Sequence, residues 1–109
     1  MDRLKVRILH VREGEPVEAD VRLQPGAVHV WRAGLSLPDD RVAAFHETLS
    51  ADEREKAARY VFARDRAAYV AGRGILRALL GRYLGVPPAD VRFLLIDPKR
   101  LELVERLTS

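Results

Sequence analysis

The segment from residue 64 to residue 84 constrains the fold of this chain most strongly. Apolar residues recur there at helical spacing, and at about 100° per residue they share one sector: Ala68, Gly72, Ile75, Leu76, Leu79 and Tyr83. Gly85 and the Pro87-Pro88 pair supply helix-ending signals. The pattern predicts a long helix from about Arg64 or Asp65 to Leu84, which buries Gly72, Ile75, Leu76 and Leu79. Gly72, the one helix-unfriendly residue of that face, indicates a close backbone approach.

An arginine stripe lies on a different face of this predicted helix. Arg66, Arg73 and Arg77 stand at i, i+7 and i+11, within about 40° of one another. Such a stripe is most often a solvated, salt-bridged surface, and it also suits a face that binds phosphate from a cofactor or from nucleic acid. No aromatic residues interleave with the arginines to stack on bases, so nucleic acid is the weaker functional interpretation.

Two shorter helices are predicted before the long one. Ser50 and Glu53 have the S-x-x-E spacing of a capping box, in which each side chain bonds the backbone amide of the other residue. The preceding helix starts near Leu37-Pro38-Asp39-Asp40, with Val42, Phe45 and Leu49 facing inward.

The remaining apolar runs favour β-strands. Val6–Val11, residues 17–23 and Ala27–Arg32 have strand-like patterning, as does Val91–Ile96, whereas Pro98–Leu107 has the period of an amphipathic helical turn or two. We therefore expect an α+β fold, in which a small sheet containing Ala27–Arg32 and Val91–Ile96 packs against about three helices.

Composition limits the classes of protein that fit. With 109 residues, 48% of them hydrophobic, the chain has enough apolar surface for one modest core. It contains no cysteine, which excludes disulfides and thiolate metal sites. No signal peptide or membrane-length apolar run is present, so we expect a cytoplasmic protein without a membrane partner. The net charge of +3 is compatible with an anionic ligand and well short of a nucleic-acid-binding tail.

The residues alone indicate no catalytic constellation. His10, His29 and His46 lack the spacing of metal ligands, and no glycine-rich phosphate loop follows a strand. Ser36 and Ser50 have no histidine at a recognised nucleophile spacing. We predict neither catalytic nor metal-binding residues in this chain.

The ordered motifs resemble the N-terminal half of the Sfp-type 4'-phosphopantetheinyl transferases. Leu49–Tyr60 matches the family's L-S-x-x-E-(R/K)-x-(R/K)-A-x-x-(F/Y), and Arg64-Asp65 matches the R-D of its link. Gly72–Leu80 matches its arginine-containing long helix, and Pro88–Phe93 matches P-x-x-(I/V)-x-F. With the strand that ends at Trp31, the resemblance covers about Val28 to Phe93.

This resemblance implies an activity and a ligand. The family transfers phosphopantetheine from coenzyme A to a serine of an acyl or peptidyl carrier protein and uses Mg²⁺. A basic residue that holds coenzyme A phosphate falls on Lys56. A second basic position of some members falls on Glu53, which leaves Arg54 as a substitute. Arg73 and Arg77 match family positions that brace the two halves or the cofactor pocket, so the resemblance implies coenzyme A binding by Lys56, Arg54 and Arg73.

The chain departs from the family beyond Phe93. It has no glycine after Gly85, and the G-K-P-x-L, S-H-S, D-x-E and W-x-x-K-E motifs are missing. The metal-binding carboxylates and the lysine implicated in proton transfer belong to those motifs. We therefore expect the N-terminal half of a phosphopantetheinyl transferase, inactive alone, whose partner is the missing C-terminal half or a second copy of the chain.

We divide the chain into three parts: residues 1–26, a β-rich extension; 27–96, the family's N-terminal subdomain; and 97–109, an unmatched tail. Two other functions stay open. One is a non-catalytic interaction domain derived from the half-fold, and the other is a small Arg-rich nucleic-acid-binding domain.

Overall fold

The computed structural model describes residues 5–11, 22–97 and 100–104, and in them the three predicted helices form. The elements are β1 (Lys5–Val11), β2 (Ala27–Ala33), α1 (Asp39–Thr48), α2 (Ala51–Ala58), α3 (Ala63–Leu84), a 3₁₀ turn (Pro88–Asp90), β3 (Arg92–Asp97) and β4 (Arg100–Val104). The predicted α+β class is confirmed, with a two-stranded parallel sheet and three helices. The strand predicted over residues 17–23 lies almost wholly outside the described residues.

Helix α3 ends where the sequence predicts. Gly85 adopts the left-handed conformation with φ of 69°, which a residue without Cβ takes at little cost. The amide of Val86 then donates to the carbonyl of Gly81 at 3.0 Å, which satisfies one of the last helical carbonyls. Helix α1 begins at Asp39, directly after Pro38.

The core lies where α1 and α2 meet α3. Leu49, Ala57 and Val70 are its buried residues, and the half-buried Val42, Phe45 and Tyr69 pack against them. The expected inward positions of Val42, Phe45 and Leu49 are confirmed.

The buried face of α3 is rotated from the predicted one. Ile75 and Leu79 are buried as predicted, but Gly72 and Leu76 are only half-buried, and Gly74 lies in the core. A Cβ on Gly74 would approach the Phe45 Cδ1 to 2.6 Å, whereas one on Gly72 would sit 3.6 Å from Leu35, an ordinary contact. The prediction that Gly72 marks the close approach is therefore wrong, because Phe45 of α1 crosses α3 at Gly74.

The described strands form two separate sheets. β1 pairs in parallel with β2, with Val6 opposite Val28 and Ile8 opposite Val30. β3 pairs antiparallel with β4, with Arg92 opposite Val104. The prediction that Ala27–Arg32 and Val91–Ile96 share a sheet is wrong.

The helical interpretation of the tail is also wrong, since Arg100–Val104 is a strand. Over so short a run the spacing of Leu101, Leu103 and Val104 fits either period, and the short separation from β3 favours a hairpin. The pairing of β3 with β4 spans the predicted boundary at residue 97, where we place the start of the tail. The pairing of β1 with β2 likewise spans the predicted boundary at residue 27. The three-part division stays a prediction.

The β1–β2 sheet has one face tied to α3 and one face exposed. On the tied face, Trp31 Nε1 donates to the Tyr83 hydroxyl at 2.8 Å, and that hydroxyl lies 2.5 Å from His29 Nδ1. On the other face, four β-branched side chains are exposed: Val6, Ile8, Val28 and Val30. Parallel strands normally have both faces covered, so this bare apolar face is unusual.

Among the described residues, no helix is both long enough and apolar enough to cross a bilayer.

Candidate functional site

The N-terminus of α2 fixes the central carboxylate of the site. The predicted capping box forms: the Glu53 amide donates to Ser50 Oγ at 3.2 Å, and the Ser50 amide donates to Glu53 Oε1 at 2.9 Å. These bonds satisfy two amides that the helix itself leaves unpaired. They also hold the Glu53 side chain over the first turn of α2, where it faces α3.

Glu53 binds two arginines of α3. Arg77 donates to Oε1 from Nε at 2.7 Å and from Nη2 at 2.6 Å, and Arg73 Nε lies 3.2 Å from Oε2. Two guanidinium groups thus share one carboxylate, which leaves one positive charge in excess. Because Arg77 is only 3% exposed, that excess charge reaches solvent mainly through Arg73.

Arg77 is a structural residue rather than a member of a solvated stripe. Besides binding Glu53, it donates from Nη1 to the carbonyls of Pro88 and Val91 at 3.1 and 2.6 Å. The prediction that Arg66, Arg73 and Arg77 share a polar face away from the buried one is wrong for Arg77. An acid from α2 and two carbonyls beyond α3 supply the partners that a buried guanidinium requires.

Arg73 remains available to a ligand. Its guanidinium carbon lies 5.3 Å from the centroid of the Phe93 ring and 5.8 Å from that of Tyr69. Within the described part of the chain its Nη atoms have no hydrogen-bond partner. Arg73 lines a cavity of about 450 Å³ together with Ser50, Glu53, Arg92 and Phe93.

Lys56 also lies near Tyr69. Its Nζ is 5.6 Å from the centroid of the Tyr69 ring, and it lines a second cavity of about 610 Å³. Asp52 lines both cavities. The structure therefore brings Lys56 and Arg73, two of the three residues predicted to bind coenzyme A, to one aromatic ring.

Arg54, the third of these residues, is engaged with α1. It donates from Nε to the His46 carbonyl at 3.2 Å and from Nη2 to the Glu47 carbonyl at 2.8 Å. These bonds satisfy carbonyls at the C-terminal end of α1, where a cation is also favoured by the helix dipole. Arg54 would have to give up these bonds to substitute for the basic residue that some members of the family have at the position of Glu53.

Two members of the site were not assigned from the sequence. Glu53 was expected only as part of the capping box and as a departure from the family pattern, and Tyr69 was given no role in a site. A signal for Tyr69 was present, because Tyr69, Arg73 and Arg77 stand at i, i+4 and i+8 and so share one side of α3. The pairing of Glu53 with Arg77 joins two helices, and helical periodicity does not report contacts of that kind.

The described residues do not fit a magnesium site. In residues 5–11, 22–97 and 100–104, no cluster of three or more His, Asp or Glu side chains is placed to hold a metal ion. The carboxylate at the centre of the site is occupied by arginines.

Comparison with curated proteins shows a similarity over most of the chain. The chain is 42% identical over 78 residues to the 4'-phosphopantetheinyl transferase HetI of Nostoc sp. (strain PCC 7120 / SAG 25.82 / UTEX 2576). This chain is homologous to part of a phosphopantetheinyl transferase. The similar region covers 72% of this chain and 33% of HetI, so the chain spans about a third of that relative's length. The family resemblance predicted from the motifs is confirmed.

No family model matches the sequence. No solved structure matches it either.

Proposed function

We propose that this chain is the coenzyme A-binding part of a 4'-phosphopantetheinyl transferase. The complete enzyme would transfer phosphopantetheine from coenzyme A to a serine of an acyl or peptidyl carrier protein in the cytoplasm. The observation that carries the proposal is the 42% identity to HetI over 78 residues. The convergence of Lys56 and Arg73 on the Tyr69 ring supports it, because it offers two cations to a ligand that carries phosphates.

Lys56 and Arg73 are the main ligand-binding residues in this proposal. Arg54 is a third, and it would exchange its present bonds to α1 for bonds to the ligand. Lys56 is exposed and Arg73 is half-buried, so both retain donors for phosphate oxygens. A hydrogen bond to a charged group contributes about 1.5–3 kcal/mol. Two such contacts sum to about 3–6 kcal/mol and so support only modest affinity, with dissociation constants roughly from several millimolar down to tens of micromolar.

We propose further that this chain alone does not transfer phosphopantetheine. Transfer in the family depends on Mg²⁺, and the sequence has no D-x-E motif to hold it. A second polypeptide or domain that carries those carboxylates would complete the site.

Calorimetric titration of the chain with coenzyme A tests the binding. We expect measurable binding by the wild-type chain and at least about a fivefold loss in Lys56→Ala, since one charge-assisted contact is removed. Lys5→Ala on β1 is the matched control, because it removes the same charge elsewhere and should leave the affinity unchanged. Tight binding that is indifferent to Lys56 would overturn the assignment.

A transfer assay tests the chemistry. We expect no product with coenzyme A, an apo-carrier protein and Mg²⁺. Mg²⁺-dependent turnover by the isolated chain would contradict the proposal that a second polypeptide or domain supplies the metal-binding carboxylates.

A non-catalytic interaction domain is a second candidate, favoured by the bare apolar face of Val6, Ile8, Val28 and Val30. Failure of coenzyme A to bind, together with stable self-association, would favour it. The nucleic-acid alternative loses part of its support, because Arg77 is buried and paired. Steeply salt-dependent binding to generic DNA would restore it.

A further inference from the structure

Tyr69 is shared by two cations from different helices. Lys56 of α2 places Nζ 5.6 Å from the ring centroid, and Arg73 of α3 places its guanidinium carbon at 5.8 Å. A cation this close to an aromatic face is attracted by the negative charge of the π-system. The same attraction offsets part of the repulsion between the two positive charges.

The ring itself is held in place by the core. Tyr69 is half-buried and packs against the cluster of Leu49, Ala57 and Val70. Its ring also lies 5.5 Å from that of Tyr60, tilted by 34°. Tyr69 is therefore a fixed surface on which the flexible Lys56 and Arg73 side chains can rest.

Arg73 has contacts that Lys56 does not share, and Tyr69 is the ring that both cations contact. Arg73 has additional partners in Glu53 and the Phe93 ring. Tyr69 is the aromatic ring common to both cations among the described residues. Its hydroxyl makes no hydrogen bond in that part of the chain, so its role lies in the ring.

We propose that Tyr69 is a positioning residue for phosphate binding. Its ring holds Lys56 and Arg73 in the conformations in which both donate to one phosphate-bearing ligand. Restricting the two side chains before binding lowers the conformational entropy that they lose on binding. This role rests on the proposed coenzyme A site. It adds Tyr69 to that site as a residue that does not have to touch the ligand.

The first test compares Tyr69→Phe with Tyr69→Leu by calorimetry with coenzyme A. Phenylalanine keeps the aromatic face, so the affinity should stay within about twofold of wild type. Leucine fills much of the same space without a π-system, so the affinity should fall by about fivefold to thirtyfold, because both cationic side chains must then be ordered on binding. Equal affinities for the two variants would overturn the proposal.

A second measurement separates positioning from packing. If Tyr69 acts through Arg73, the loss caused by Tyr69→Leu should shrink by at least about half when it is measured in an Arg73→Ala background. A loss of the same size in both backgrounds would show that Tyr69 does not position Arg73, which would overturn the proposal. Thermal unfolding of each variant identifies any that fails to fold.

A third measurement keeps the outcome independent of coenzyme A. If the wild-type chain does not bind coenzyme A, the proposed function fails. Inorganic pyrophosphate then replaces coenzyme A as the probe. We then expect pyrophosphate to shift the NMR signals of Lys56 and Arg73 in wild type and Tyr69→Phe, and much less in Tyr69→Leu. No shift in any variant, or equal shifts in all three, would refute the positioning role.

Discussion

Arg77 and Glu53 form a buried ion pair that joins α3 to the N-terminal cap of α2, with Arg77 Nε 2.7 Å from Glu53 Oε1. The guanidinium also binds the carbonyls of Pro88 and Val91, so one side chain ties α2, α3 and the segment before β3 together. When one partner of such a buried group is removed, the other is left unsatisfied, and this lowers the free energy of unfolding.

Arg77→Met should lower the free energy of unfolding by about 3–5 kcal/mol, because it leaves the Glu53 carboxylate buried without its closest partner. Urea denaturation of the two proteins measures the difference. Arg59→Ala is the control, since the Arg59–Glu55 pair is exposed and its loss should cost less than about 1 kcal/mol. Equal effects of the two substitutions would contradict the buried pair.

Gly74→Ala and Gly72→Ala should have opposite effects. A Cβ on Gly74 would clash with the Phe45 side chain, so we expect a loss of about 1–3 kcal/mol in the free energy of unfolding. A Cβ on Gly72 has room beside Leu35, and alanine favours the helix by up to about 1 kcal/mol. Chemical denaturation of both variants checks the sign of each change.

Ser50→Ala should cost about 1 kcal/mol of unfolding free energy, since it removes the acceptor for the Glu53 amide at the start of α2. The exposed Ser36 lies outside the helices and strands, and Ser36→Ala should change the value by less than about 0.5 kcal/mol. Thermal unfolding monitored by circular dichroism compares the two variants. An unchanged midpoint for Ser50→Ala would show that the cap contributes little.

Tyr83→Phe should loosen the contact between β2 and α3. It removes the hydroxyl that accepts from Trp31 and lies beside His29, and a lost hydrogen bond in a half-buried site costs about 0.5–1.5 kcal/mol. Trp31 is the single tryptophan of the chain, so its fluorescence reports this site alone. Unchanged emission and unchanged stability would argue against the bond.

The exposed face of the β1–β2 sheet should promote self-association. Val6 and Ile8 are 62% and 60% exposed, and Val28 and Val30 lie opposite them on the same face. We expect Ile8→Thr combined with Val30→Thr to shift the chain toward the monomer in sedimentation velocity, because threonine keeps β propensity while it reduces the apolar surface. Val61→Thr, on the loop after α2, is the control and should change nothing. A wild-type chain that is monomeric at high concentration would contradict the prediction.

Local signals in the sequence predicted the helices well. The capping box at Ser50 and Glu53 and the left-handed Gly85 act over a few residues, and both lie where their motifs indicate. Motif order also predicted the family relation. These features depend on short-range chemistry that a single sequence displays directly. The assignment of Lys56 and Arg73 to ligand binding stays a prediction.

Contacts between elements that are distant in the sequence were harder to predict. The burial of Arg77 depends on a carboxylate of another helix and on two carbonyls beyond Gly85, and Gly74 depends on where Phe45 crosses α3. Likewise, the separation of β2 from β3 depends on which strands pair, and the period of a strand does not identify its partner. Such relationships arise from packing and do not appear in local periodicity.

The short length of α2 has a consequence for the order in which the chain is assembled. An isolated helix of eight residues is not stable in water. Its capping-box residue Glu53 is held by Arg77, which follows it by 24 positions. During synthesis the ribosome therefore releases α2 before the arginine that secures it. We therefore expect residues 51–58 to form a stable helix only after most of α3 has emerged, so that α2 and α3 acquire their structure together.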